Sequence, residues 1–451
     1  MFPIYQCFVD SCRANTLFVM YFWLGFCLSA PSIIVQYTFV NSFHLGVVEL
    51  AEVSGLISIA WAIKPIIGAM VDRLSRYVSP KFQISFSYCC SGLSISCINL
   101  NPSLWLFIAC LFLSSFFLAS ADVIQDSLMV SSIRNSSTAR RSIVQSNVWV
   151  ARSVGSIFGC LLSAFFAFHN NRFAIVAIIH LGGVFSAFHL QVNKNTIDRK
   201  KKLSIKEVFL DRSVILFSIL LFFFAYEPGD SSIFEYQLLK KFKVKPGVLA
   251  SAQITAYAMI LLASFCFKQL FRKWNPISVA TVPSILSLGI FISRNLFLTQ
   301  RIRIPVNVFF IGNVTFDTFL AHLSFLPLAV IATSLCKPGV EATMYAYFMA
   351  FTNFASIVSR ELSGALADVI GIRKQLNLET EKIDLFYGIC ILLDIIGIFV
   401  VYILYYRVPI TTGEKREIEL TEFDHEMEEE DLINIEAVVN TDSDLVDIDL
   451  H

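Results

Sequence analysis

Apolar residues run along this chain in long unbroken blocks, separated by short polar stretches that carry most of the charge. Twelve blocks predict helical membrane spans, at residues 17–40, 51–71, 82–100, 104–130, 143–168, 172–191, 213–235, 247–267, 277–297, 304–335, 340–370 and 384–407. A helix needs roughly 20 residues to cross a bilayer core of about 30 Å, and these blocks match that length. The tenth and eleventh are long enough to be tilted, broken or partly outside the membrane. The expected fold class is an all-α membrane protein with twelve transmembrane helices in two six-helix halves. Its divisions are 1–191 for the first half, 192–212 for a basic connector, 213–407 for the second half and 408–451 for an acidic tail. Pro65, Pro228, Pro283 and Pro327 interrupt helices at membrane depth, which is tolerated where neighbours satisfy the freed carbonyls.

The polar residues inside the blocks carry the chemistry. Asp122 and Asp126 lie four residues apart in the fourth block and so share one helix face. Arg152 stands about ten residues into the fifth, Lys64 lies in the second, Arg360 in the eleventh and Asp317 in the tenth. A charge at membrane depth costs at least about 2.5–3.5 kcal/mol on insertion scales, so it faces a bundle interior or a watery cavity and marks a pathway. Acids and bases in adjacent spans predict a transporter.

Composition and charge sharpen this. At 56% hydrophobic and 16% charged residues, the chain departs from soluble domains in the direction of a polytopic membrane protein. The formal net charge of zero hides an asymmetry: from Glu414 onward there are 15 acids and two bases, so the membrane body is basic. Arg73, Arg76 and Lys81, then Arg134, Arg140 and Arg141, then the 192–212 connector follow the second, fourth and sixth spans. The loops between them hold only Arg172, which places both termini and the connector in the cytosol. Lys240, Lys241, Lys243, Lys245, Arg301 and Arg303 fall in predicted outer loops, so the second half follows this rule less closely. The first block, with no charged region or cleavage site before it, reads as a retained helix. Most of the eleven cysteines sit in apolar runs as small buried hydrophobes, and no metal or disulfide spacing is present.

Six spans, a basic connector and six more spans resemble the major facilitator superfamily, whose halves are related by an axis along the membrane normal. The loop after the second span, Gly68-Ala-Met-Val-Asp72-Arg73-Leu-Ser-Arg76, is similar to that superfamily's cytoplasmic gate motif. Three further segments resemble the folate–biopterin transporter family. They are Trp61-Ala-Ile-Lys64-Pro65-Ile-Ile-Gly68, Ala121-Asp122-Val-Ile-Gln-Asp126 and Cys336-Lys337-Pro338-Gly339-Val340-Glu341-Ala342-Thr343, the last followed by Asn353 and Ser363-Gly364-Ala365-Leu366. The match fades over Ser213–Leu298, and Lys337-Pro338 stands where Pro-x is expected.

The resemblance implies a secondary transporter moving a folate or pterin anion by alternating access, coupled to protons. A pterin offers a donor edge that a carboxylate accepts in bidentate fashion, and a glutamate tail calls for Arg or Lys. The expected substrate site is Lys64, Arg152, Arg360 and Asp122, with Trp61 and Trp149 for stacking. Asp122, Asp126 and Asp317 are the expected proton carriers, and Gly68, Asp72 and Arg73 the gate. The competing reading for each cation is a fixed ion pair with a neighbouring Asp; for Asp126 it is a salt bridge to Arg140 or Arg141. Asp368 and Asp394 are expected near the membrane boundaries, and His180, His189 and His322 as satisfied polar contacts.

Other small organic solutes, or a sensor that binds without transporting, remain open. No nucleophile–base pair, metal-ligand spacing or phosphate loop is present, so neither an enzyme, a cofactor, a metal, ATP-driven transport nor a nucleic-acid partner is expected. The acidic tail has the composition of a disordered segment, and Glu428-Glu-Glu-Asp431-Leu432-Ile433 resembles a sorting signal read by an adaptor. The membrane itself is left open between the plasma membrane and an endosomal or organelle membrane.

Overall fold

The computed structural model describes residues 2–408 except 46, 101–102, 134–135, 168, 170, 191–209, 229–233, 235–240, 245, 272–273 and 373–378. Most of the connector and the tail with Leu432 and Ile433 therefore lie outside the described residues. The helices are α1 (Phe2–Ser29), α2 (Ser32–Asn41), α3 (Val47–Ala62), α4 (Lys64–Leu74), α5 (Pro80–Cys97), α6 (Leu104–Ile133), α7 (Thr138–Phe166) and α8 (Arg172–Phe188). They continue as α9 (Arg212–Phe224), α10 (Pro246–Cys266), α11 (Pro276–Leu298), α12 (Val306–Leu335), α13 (Glu341–Ile370) and α14 (Thr380–Arg407).

Local sequence sets several of these boundaries. Ser79, Ser137, Asp211 and Asn275 cap helix starts by accepting from a backbone N–H two or three residues on. Pro80 and Pro276 occupy first-turn positions, where no N–H is needed. Two of the expected spans are broken. The first bends at Ala30-Pro31 between α1 and α2, and the second at Ile63 between α3 and α4, just before Lys64-Pro65. The first break was not expected, because Pro31 follows an apolar run with no other interruption. Pro228 lies beyond the end of α9 rather than inside a helix.

With α1–α2 and α3–α4 each counted as one broken crossing, the helices accommodate twelve crossings. Eight segments among the described residues are long and apolar enough to span a bilayer by themselves. Of the others, α8 and α9 are shorter, and α13 carries Glu341, Arg360, Glu361 and Asp368 along its 30 residues.

The helix pairings repeat along the chain. The neighbours α1·α7, α3·α6, α5·α6, α5·α8 and α1·α8 recur as α9·α13, α10·α12, α11·α12, α11·α14 and α9·α14. Between these groups, α7 packs on α10 and α12, and α13 packs on α4 and α6.

The α1·α7 contact is the tightest. A Cβ on Gly155 would lie 1.9 Å from the Phe22 carbonyl oxygen, and one on Gly25 would lie 2.0 Å from that of Arg152. The Gly155-Ser-Ile-Phe-Gly159 run thus serves the close helix approach its small residues suggest.

The contact between α13 and the broken second span is lopsided. A Cβ on Gly68 of α4 would sit 2.6 Å from the Ala342 carbonyl oxygen, whereas Gly55 of α3 and Gly364 of α13 have nothing within 4 Å of theirs. The α13 helix packs on α4, at the Asp72 end, far more extensively than on α3.

Candidate functional site

The break at Ile63 is what places Lys64. It starts α4 facing inward, 5% exposed, with Pro65 in the first turn. Its ammonium pairs with Asp122 Oδ2 from α6 and lies 4.5 Å over the Trp61 ring. The other carboxylate oxygen of Asp122 accepts from Arg152 Nη1 of α7 at 2.9 Å. Arg152 lies 5.1 Å over the ring of Trp149, three residues before it on the same helix face. One fully buried carboxylate is therefore clamped between two cations, each resting on a tryptophan, an arrangement that desolvation strengthens.

Asp126, one turn further along α6, accepts from the Tyr21 hydroxyl of α1 at 2.6 Å. The expected alternative of a bridge to Arg140 or Arg141 is not what the helices bring together; the Arg141 guanidinium reaches the Ile133 carbonyl instead.

Several contacts tie this cluster to the second group of helices. Trp149 meets His322 edge-on at 4.8 Å and Phe325 at 5.6 Å. His322 shares a 3.1 Å hydrogen bond with Ser264. Gln145 donates to the Tyr345 hydroxyl at 3.0 Å, Lys268 to Asn147 at 2.8 Å and Asn353 to the Trp61 carbonyl at 3.5 Å. Lys64, Trp61, Asp122, Asp126, Trp149, Arg152 and Asn353 are thus brought into one neighbourhood.

Arg360 and Asp317 stand apart from it. Arg360 is exposed on α13, its Nε directed at its own helix's Ser356 carbonyl. Asp317 pairs with Arg294 of α11 at 2.6 Å, and Arg294 also donates to Asn313 at 2.8 Å. Arg294 was overlooked in the sequence because it sits near the end of a predicted span, where arginine is common.

At the Asp72 end, the Asp72 carboxylate accepts from the backbone N–H groups of Ala342 and Thr343, at 3.2 and 2.8 Å, and from the Thr343 hydroxyl. These are first-turn donors of α13, where a helix end favours a carboxylate. Arg73 follows it, exposed, in the last turn of α4.

The loop before α13 carries the family-like residues. Gly339 adopts a left-handed φ of 82° after Pro338 and donates its N–H to Glu341 Oε2 at 2.8 Å. Lys337 bonds to Asp211, the cap of α9, at 2.6 Å, and this hydrogen bond holds the Asp211 carboxyl below the usual carboxylate range. The expectation for Asp394 is corrected: it lies midway along α14 and is 5% exposed, not at a boundary.

Comparison with solved structures shows the fold. The chain superposes on the major facilitator superfamily transporter FucP in its outward conformation with a TM-score of 0.62, at 12% identity, over 86% of this chain and 98% of that one. FucP is the fucose:proton symporter of E. coli. The human organic anion transporter TETRAN gives 0.62 at 11% identity, over 87% and 99%.

Curated relatives are similar in sequence over most of their length. A folate-biopterin transporter of Synechocystis is 26% identical across 76% of this chain and 73% of its own. Folate transporter 1 of Plasmodium falciparum is 26% identical across 82% and 75%. The BT1 family model matches residues 25–422. The motifs around Lys64, Asp122 and Gly339 thus stand within a match that runs through nearly all the described helices, and this multi-pass membrane transporter belongs to the BT1 family.

Proposed function

We propose that the chain moves folate or pterin anions across its membrane by alternating access of two halves, residues 1–191 and 213–407, in symport with protons. The observation that carries this reading is the clamp of Lys64 and Arg152 on Asp122, at the seam between the helix groups and flanked by two tryptophans. Similarity to folate and folate-biopterin transporters supports the substrate class.

Two cations and one carboxylate leave a single positive charge. With Asp126 ionised beside them, the site is neutral; with Asp126 protonated, it has a positive charge to offer an anion. Proton and anion thereby favour each other's binding, which is the linkage a symporter needs. The carboxylates of a glutamate tail would compete with Asp122 for Arg152 and Lys64, while Trp61 and Trp149 offer faces for a flat ring. Arg360, exposed on α13, meets the anion on its way in. Asp317, held by Arg294, is the remaining candidate proton carrier, in the second half.

Gly68, Asp72 and Arg73 form the gate. The Asp72 contact with the start of α13 is the latch that a switch to the other side must break, and the lysine and arginine bias puts this end in the cytosol together with both termini. The plasma membrane, or an endosomal or other organelle membrane, would house the protein.

Asp126→Asn tests the linkage. The variant is expected to bind folate or pterin with an affinity that falls less steeply as pH rises, and to lose one proton's share of its response to a proton gradient. Full gradient dependence in the variant would rule Asp126 out as the carrier.

A further inference from the structure

Of the two acids buried among the described residues, Asp122 is held by two cations and Asp394 by none. We propose that Asp394 is a further proton-binding residue, seated in a pocket of the second half where α9, α11 and α14 meet. Binding of this proton is independent of the transport reading; its coupling to substrate rests on that reading.

The pocket is lined by Asp394, Glu227, Thr281, Ser284, Ser287 and Phe224, among others. Asp394 Oδ2 is buried and has no hydrogen-bond partner. The three hydroxyls nearby have other acceptors: Thr281 donates to the Ile277 carbonyl at 2.8 Å, Ser287 to that of Ser284 at 2.6 Å, and Ser284 to the Ala280 carbonyl at 2.9 Å or the Ser324 hydroxyl at 3.4 Å. What they present to the pocket is oxygen lone pairs.

A lining of acceptors leaves an ionised carboxylate unsatisfied, and an unsatisfied buried charge is among the costliest groups in a fold. A carboxylic acid is different: its O–H is a donor, and the pocket supplies acceptors for it. The pocket's chemistry therefore suits a proton on Asp394.

The charged and titratable groups on the elements packed against α14 support the same occupant. Beyond α9 stand Tyr226 and Glu227; α11 contributes Arg294, which is bound to Asp317 of α12; α13 carries Arg360, Glu361 and Asp368; α14 itself carries Tyr387 and Cys390. Arg294 is committed to Asp317 and Asn313, so its charge is already matched.

The pocket is also connected to the helix that closes the Asp72 end. After α9 ends at Phe224, the Glu227 N–H donates to Ser359 Oγ of α13 at 3.0 Å. The backbone of Glu227, which lines the pocket, is thus anchored to α13, and a shift of α13 would alter the surroundings of Asp394.

Infrared titration of the purified full-length protein reads the proton directly. The wild type is expected to show a protonated-carboxyl C=O band that titrates with pH, absent from Asp394→Asn and shifted in frequency in Asp394→Glu. Identical spectra for wild type and Asp394→Asn would overturn the proposal, and this arm needs no substrate.

Coupling is read in proteoliposomes with the membrane potential held at zero. Each coupled proton contributes about tenfold in accumulation per pH unit of gradient. Asp394→Asn is expected to lose one proton's share of that slope while counterflow exchange continues. An unchanged slope would overturn the coupling role, and a wild type that accumulates no folate or pterin would overturn the transport reading while the infrared result stands.

Discussion

Asp122→Ala is expected to abolish transport and to destabilise the folded protein by about 3–5 kcal/mol, the range for removing one partner of a buried ion pair. Asp122 is 1% exposed and both of its oxygens are occupied, by Lys64 and by Arg152. Removing it leaves two cations facing each other in a bundle interior, with Asp126 one turn away and Trp61 and Trp149 as their direct contacts. Each aromatic contact is worth about 0.5–2 kcal/mol, less than the loss. Thermal unfolding of the purified variant checks the stability, and Lys64→Met added to Asp122→Ala should recover part of it by removing one stranded charge. A single variant as stable as the wild type would mean that the clamp is not a feature of the folded state.

Gly155→Leu is expected to prevent assembly of the first helix group. The added Cβ alone would fall 1.9 Å from the Phe22 carbonyl oxygen, which is backbone and cannot turn aside as a side chain can. Relief requires α1 and α7 to separate, and the Arg152 guanidinium rides on α7 three residues before Gly155. Overpacking ordinarily costs about 1–3 kcal/mol, and a helix–helix contact at this range belongs at or above the top of that interval. Gly289→Leu is the control, since a Cβ there meets nothing within 4 Å. The expected result is loss of monodisperse protein in size-exclusion chromatography for Gly155→Leu and none for Gly289→Leu.

The spans were legible because the bilayer imposes length and hydropathy on every helix that crosses it. The central acids and bases were legible for the same reason: a charge such as Arg152 inside an apolar run has few explanations. Which charges pair was not legible, since that depends on how α4, α6 and α7 rotate against one another. Asp122 and Asp126 share a helix face, yet one meets two cations and the other a tyrosine hydroxyl. Arg360 and Arg152 both stand inside apolar runs of the sequence, but the two sit in different settings, one exposed and one in the cluster. Asp394 was misjudged because a span's depth is uncertain from sequence by several residues. Its significance comes from the directions of three hydroxyl protons, which only the packed helices reveal.

The central claim is that this BT1-family chain carries folate or pterin anions through the Lys64–Asp122–Arg152 site. The most direct measurement is uptake of labelled folic acid, a reduced folate and biopterin into proteoliposomes holding the wild type or Arg152→Ala, with and without an imposed proton gradient. The predicted result is gradient-dependent uptake of at least one of them by the wild type and none by Arg152→Ala. Folded, reconstituted wild type that takes up none of the three, or an Arg152→Ala variant that transports as the wild type does, would contradict it.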